Sequence, residues 1–165
     1  MSSKPRTRTV SWQDPMLTAK AGHGISGIEF LRAIVDGKLP QPPISQTMGY
    51  RLSEVGEGWA RFEIEPGEHL YNPIGMVHGG VASTLLDSTM ACAIQSTLPA
   101  GTAYTTVELK INLIRAIHAD TGKLVAEGRI INVGRKIGIA EGSLKDTAGK
   151  LYAHGTTTCL ILQQG

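Results

Sequence analysis

Apolar positions along the chain recur with two different periods, and the change between them lays out the fold. From Ser26 to about Asp36, Ile28, Leu31, Ile34 and Val35 recur at helical spacing, with Ser26 placed to cap the start and Gly37 to stop the run. Pro40-Gln41-Pro42-Pro43 then predicts an extended connector. The period drops to two in the next stretches, Gln46 to Val55 and Trp59 to Glu65, where Ala60, Phe62 and Ile64 alternate with Arg61, Glu63 and Glu65. Joined by Gly56-Glu57-Gly58, they read as a hairpin. Pro66 to Val77 is a loop. Val81 to Ile94 contains neither Gly nor Pro and is apolar nearly all the way round, the pattern of a helix enclosed by protein, and Pro99 and Gly101 end it.

Everything that follows alternates again. In Thr102 to Ile117, Val107, Leu109, Ile111 and Leu113 share one face, while Thr106, Glu108, Lys110 and Asn112 share the other. Leu124 to Val133, Ile137 to Asp146 and Leu151 to Leu162 continue the series, with turns at Asp120-Thr121-Gly122, Gly134-Arg135 and Asp146 to Gly149. Short turns between successive strands make an antiparallel meander. One such sheet curling around one apolar helix is the simplest way to bury that helix, so the expected class is α+β.

Composition narrows the functional classes. The 165 residues suit one domain, with residues 1–20 as a tail whose first part is expected to be disordered and 21–165 as the domain, including the early helix. Within the tail, Trp12, Met16 and Leu17 are expected to dock on the body. The net charge of +2 hides a skew, because Lys4, Arg6 and Arg8 supply +3 and leave about −1 for the rest. That balance does not suit nucleic acid as a partner. No apolar run is long enough for a bilayer or a secretion signal, so no membrane partner and a cytoplasmic location are expected. Cys92 and Cys159 are too few for a disulfide framework, and no His/Cys cluster has metal-ligand spacing. Neither a metal nor a redox cofactor is expected.

Candidate chemistry lies in the apolar helix. Between Glu68 and Glu108 the only formally charged side chain is Asp87, in mid-helix, where burying it without partners would cost several kcal/mol. His78-Gly79-Gly80 opens the helix with two residues that have no Cβ, so bare amides at the positive end of the dipole could receive a carbonyl oxygen gaining negative charge. Gly79 and Asp87 are eight residues apart, roughly 12 Å along the axis at about 1.5 Å per residue, too far for one acyl carbon to touch both. If both serve one substrate they come from two copies of the helix, antiparallel across a two-fold axis, and the protein is a homodimer with two composite sites.

The pattern Asn72-x5-His78-Gly79-Gly80-x6-Asp87, on an apolar helix followed by a long strand, resembles the hotdog-fold acyl-CoA thioesterases, in particular their PaaI-like, phenylacetate-pathway branch. The likeness covers about Gly49 to Leu162. It implies a long antiparallel sheet wrapped around the central helix and hydrolysis of an acyl-CoA thioester, with coenzyme A as part of the substrate. By the same likeness Asp87 acts as nucleophile or general base, the Gly79 amide holds the thioester oxygen, and Gly80 belongs to the same binding turn. Asn72 positions water or the carboxylate, His78 borders the thioester, and the hydroxyl of Thr106 assists water. Arg135 and Lys136 match the basic turn that meets coenzyme A phosphates, and dimers pair into homotetramers.

Two other readings stand beside this one. A non-catalytic acyl-CoA binding or sensing protein would keep the site without turnover. A hotdog hydratase would use a different His/Asp or His/Glu arrangement, and its Gly-Asp-x-Asn-Pro-x-His pattern is absent. Ser83 and Ser88 lack the relay or the G-x-S-x-G elbow of a serine hydrolase.

Overall fold

A computed structural model describes residues 4–163 of the chain. Three short helices precede the body: α1 (Pro15–Ala21), α2 (Gly27–Val35) and α3 (Pro43–Met48). The hairpin β1 (Tyr50–Gly56) and β2 (Trp59–Ile64) leads through a loop to the long helix α4 (Gly79–Gln95). Four strands follow, β3 (Thr102–Leu113), β4 (Leu124–Val133), β5 (Ile137–Asp146) and β6 (Leu151–Gln163). They form one antiparallel sheet in the order β1-β2-β4-β5-β6-β3. The sheet wraps around α4, which is the hotdog arrangement. Among the described residues no helix is long and apolar enough to cross a membrane.

The helix seats on the sheet through Leu85, Leu86, Met90, Ala93 and Ile94, all without exposed surface. A row of small residues makes this close approach feasible. Ala60 on β2 pairs with Gly128 on β4, Gly128 with Gly142 on β5, and Gly142 with Gly155 on β6. A Cβ at Gly128 would lie 2.9 Å from the Thr89 carbonyl oxygen, and one at Gly142 would lie 2.9 Å from Met90 Cγ. The absent side chains are the space that the middle of α4 occupies.

Helix α2 forms as its pattern predicts. Ser26 and Glu29 complete a capping box, the Ser26 N–H donating to Glu29 Oε2 at 2.9 Å, and Leu31 and Ile34 are buried. The Ser26 contacts hold the Glu29 carboxyl below its ordinary pKa. Gly37, at φ 72°, stops the chain in the left-handed region. Gly27 fixes α2 to the end of α4: its N–H donates to the Leu98 carbonyl at 2.9 Å, and a Cβ there would run into the Gln95 carbonyl. Gly27→Ala is therefore expected to cost about 1–3 kcal/mol of stability, read as a lower urea midpoint. An unchanged midpoint would mean that the two helices are not locked together here.

Three expectations need correction. The run after the proline connector is not strand from Gln46, because Pro43 opens a helix, where its missing N–H costs nothing, and Gly49 at φ 81° closes it. Strand β3 ends at Leu113 rather than Ile117; beyond it the Ile114 and Arg115 amides turn to the Tyr152 carbonyl, and the Ile117 carbonyl accepts from Val77. Finally, Trp12, Met16 and Leu17 do not dock within the single chain, standing 59%, 53% and 57% exposed.

The segment before α1 has no regular element, yet Arg6 pairs with Glu68 and the Arg8 guanidinium donates to the Thr47 carbonyl at 2.6 Å. Met1 to Ser3, part of the stretch expected to be disordered, lie outside the described residues.

Candidate active site

Asp87 lines a cavity of about 480 Å³. The walls are mainly apolar, supplied by Phe30, Leu31 and Ile34 of α2, Leu52 and Phe62 of the hairpin, and Ala91 of α4. Asp87 is the one acidic or basic side chain among the residues that line it.

Its partner is Thr106, whose Oγ1 donates to Asp87 Oδ1 at 2.9 Å. Plain alternation along β3 puts Thr106 on the face away from Leu109 and Ile111, and the structure overturns that placement. Thr106 pairs with Cys159 and Glu108 pairs with Thr158, so Val107 is a bulge with no partner of its own. The extra residue shifts the phase. Tyr104 and Thr106 before it, and Leu109 and Ile111 after it, thereby face the helix together. The bulge aims Thr106 at Asp87.

The thiols nearby are poor nucleophiles. Burial, with the neighbouring Asp87 charge adding to it, pushes the Cys92 thiol up to about 12. Burial likewise raises that of Cys159, whose Sγ lies 3.8 Å from Thr106 Oγ1. Both stay protonated near neutrality. The Tyr104 phenol, raised by burial, donates to Gln95 Oε1 at 3.1 Å.

At the other end of α4 a second cavity, of about 350 Å³, is lined by Asn72, His78 and Gly79 together with Leu113 to Ile117. His78 is the N-cap of α4, and its Nδ1 accepts from the Gly80 N–H at 2.9 Å. In the neutral ring the proton therefore sits on Nε2. Of the two bare amides in this turn, Gly80's is thus already taken, which corrects its expected availability to substrate. The Gly79 N–H has no acceptor among the described residues. Asn72 is also partly committed, since its Oδ1 accepts from the amides of Ile74 at 3.1 Å and Met76 at 3.2 Å. Its side-chain NH₂ is what remains for a ligand.

The sequence candidates thus fall into three places. Asp87 and Thr106 meet in one cavity; Asn72, His78 and Gly79 meet in another; Arg135 and Lys136 lie exposed in the turn between β4 and β5 and line neither. Within one chain the carboxylate and the free amide do not share a site. Sequence reading allowed for pocket side chains from the early helix, which α2 supplies through Phe30, Leu31 and Ile34, but missed the wall from α3.

Strand β3 is an edge of the sheet, 12 residues long, and pairs only with β6 among the described strands. On it Val107 and Leu113 are 58% and 57% exposed. A long, apolar, unpaired edge is one that soluble proteins ordinarily cover.

Residues 74–153 match the family model described as the thioesterase superfamily. A conserved protein of Pseudomonas aeruginosa is 33% identical and superposes with a TM-score of 0.67, covering 72% of this chain and 93% of that one. The Escherichia coli PaaI protein from the phenylacetic acid degradation operon, 19% identical, shares the fold with a TM-score of 0.71 over 83% of this chain and 96% of its own. A 1,4-dihydroxy-2-naphthoyl-CoA hydrolase of Listeria monocytogenes is 23% identical over 118 residues, 72% of this chain and 94% of that protein. The family match includes Gly79, Asp87 and Thr106; α1 to α3 lie before it.

Proposed function

Because the chain belongs to the thioesterase superfamily and is a thioester hydrolase, we propose that its substrate is an acyl-coenzyme A, cleaved between Asp87 of one protomer and the partner subunit's Gly79. The observation that carries this reading is the Asp87–Thr106 pair at 2.9 Å, which sets the one carboxylate among the lining residues in a cavity with mainly apolar walls. A carboxylate there has an apolar space beside it for an acyl group and a hydroxyl that orients it.

The thioester carbonyl oxygen accepts from the partner subunit's Gly79 N–H at the positive end of α4, where charge developing on that oxygen is stabilised. By the general-base route, Asp87 takes a proton from water, the water oxygen bonds to the acyl carbon, and the C–S bond breaks. The thiolate of coenzyme A leaves and takes up the proton. By the nucleophilic route, an Asp87 oxygen bonds to the acyl carbon as the thiolate leaves, and water then opens the mixed anhydride to free acid. Thr106 positions the carboxylate in both. His78 and Asn72 border the thioester from the partner's side, and Arg135 and Lys136 meet phosphates of coenzyme A. Coenzyme A is substrate here, and the scheme calls on no cofactor.

The exposed edge of β3 supports the dimer, since pairing two such edges across a two-fold axis would cover them and extend the sheet. A further pairing of dimers into a tetramer belongs to the same reading.

A panel of aromatic, short-chain and medium-chain acyl-CoAs with a thiol reagent tests the activity. Thiol release from at least one is expected, whereas tight binding without release from any would favour a binding or sensing role. On the best substrate, Thr106→Val should lower kcat roughly tenfold, the scale of a lost hydrogen bond to a charged group. Thr106→Ser should largely retain it, and equal losses in both would remove the hydroxyl from the mechanism.

A further inference from the structure

Helix α1 is turned the opposite way from an ordinary helix on a protein body. None of its residues is buried, and its half-buried side consists of Thr18 and Ala21, continued by Gly22. The bulky apolar side chains Met16 and Leu17, with Trp12 just before them, stand outward in the single chain. Seven residues are too few to hold a helix by backbone hydrogen bonds alone, so an element this short with its apolar side outward needs a cover that one chain does not supply.

The position of α1 identifies the cover. Thr18 lines the Asp87 cavity together with Thr105 and Thr106, while Ala19 and Gly22 line a cleft of about 180 Å³ with Gly101 and Thr102. α1 therefore lies beside the first half of the edge strand β3. Antiparallel pairing of two such edges across a two-fold axis sets the first half of one strand against the second half of the other. Opposite α1 comes the end of the partner's strand, at which Leu113 and Ile114 are exposed in the single chain. The two copies of α4 give the same answer. Bringing the partner subunit's Gly79 to Asp87 also brings the loop at the start of that helix, whose Ile74 is 75% exposed and whose Asn72 lines one cavity with Gly79, Leu113 and Ile114. An apolar helix face thus meets an apolar patch. A lipid surface fits less well, because two of the basic side chains that would draw this segment to it are engaged on the body, Arg6 by Glu68 and Arg8 by the Thr47 carbonyl.

We infer that α1 is a clasp between subunits: Trp12, Met16 and Leu17 pack on the partner subunit's Ile74, the partner subunit's Leu113 and the partner subunit's Ile114. Each Asp87 cavity is then walled in part by an element that the other subunit holds in place. This rests on the dimer proposed from Asp87 and Gly79. Since α1 precedes the segment matched by the thioesterase superfamily, the clasp belongs to the chain's own N-terminal addition.

Disulfide trapping in the full chain tests the clasp. Leu17→Cys is combined in turn with Ile74→Cys, Leu113→Cys and Ile114→Cys, and each protein is oxidised mildly and run without reductant. At least one double variant should run mostly as a covalent dimer, and the single variants as monomers. Sedimentation of the unmodified protein separates the two readings: a monomer removes the composite site and the clasp together, whereas a dimer in which no pair is trapped overturns the clasp alone. Leu17→Asp should raise the dimer dissociation constant about tenfold or more, and because Leu17 is exposed in the single chain the protomer's own packing is left alone. An unchanged constant would count against the inference. Trp12 supplies a further reading, since Trp59→Phe leaves it as the one tryptophan. In the dimer its emission should be blue-shifted and shielded from acrylamide, and Leu17→Asp should reverse both. Emission of an exposed tryptophan that shifts only when phosphatidylglycerol vesicles are added would assign the face to a membrane and overturn the inference.

Discussion

Asp87→Asn should reduce thioester cleavage by roughly a thousandfold or more while leaving the melting temperature and the assembly state unchanged, because it removes the proposed base or nucleophile and little else. Asparagine has nearly the same shape, and its side-chain carbonyl still accepts from Thr106, which donates to Asp87 Oδ1 at 2.9 Å in the native chain. What is lost is the charge. The nearby thiols cannot substitute, since burial, the largest cause of the raised Cys92 thiol, persists in the variant and keeps it protonated. Thiol release at saturating substrate measures the loss, and sizing chromatography checks the assembly. Activity within a few-fold of wild type would remove Asp87 from the reaction. In ¹⁸O-water, label entering the protein in a single turnover of the native enzyme is expected only from the nucleophilic route, with water opening the anhydride at the Asp87 carbonyl.

The second large effect tests whether Asp87 and the start of α4 act across subunits. Gly79→Pro deletes the single unpaired N–H of the turn and nothing else of chemical use. The site tolerates proline better than most, because Gly79 is the first residue of α4, where proline is favoured, and His78 before it already lies at φ −60° and ψ 133°. The new ring meets only the far end of Leu113, a flexible side chain that can turn aside about its own bonds. Alone, the variant should lose roughly 10²–10³-fold in kcat, the scale of one oxyanion donor. Mixed with Asp87→Asn and allowed to exchange subunits, the two inactive proteins should regain about a quarter of wild-type activity. Half the dimers formed at random are mixed, and each holds one site with both groups intact. No recovery after confirmed exchange would place both groups in the same subunit's site, or one of them in none.

Legibility in the sequence followed the range of the interactions involved. Asp87 stood out because a charge in an apolar helix is a local anomaly, and α2 was readable from Ser26, the Leu31 and Ile34 spacing and Gly37. The bulge at Val107 was not. Nothing in Thr105-Thr106-Val107-Glu108 marks an extra residue, since it is defined by its partners Cys159 and Thr158 on β6, some fifty positions away. The consequence was to place Thr106 on the wrong face. Helix α3 was hidden by its prolines, which break a helix in its middle but start one at its first turn. Commitment of the Gly80 amide to His78 is likewise a matter of geometry; the letters His-Gly-Gly describe two equal amides. The apolar residues of the tail were read as docked, yet a chain considered singly gives Trp12, Met16 and Leu17 no surface to meet.

The row from Gly128 through Gly142 to Gly155 has a bearing on how this enzyme can be altered. None of the three touches a reacting group, and each sits in mid-strand, where small residues look like filler. Yet a single methyl on Gly128 would have to lift the backbone of α4 at Thr89 and Met90, two and three residues from Asp87. The carboxylate would rise with it and part from a hydroxyl anchored on a different strand. On the role proposed for Asp87, damage to turnover is thus concentrated in the floor beneath that carboxylate, out of reach of any substrate.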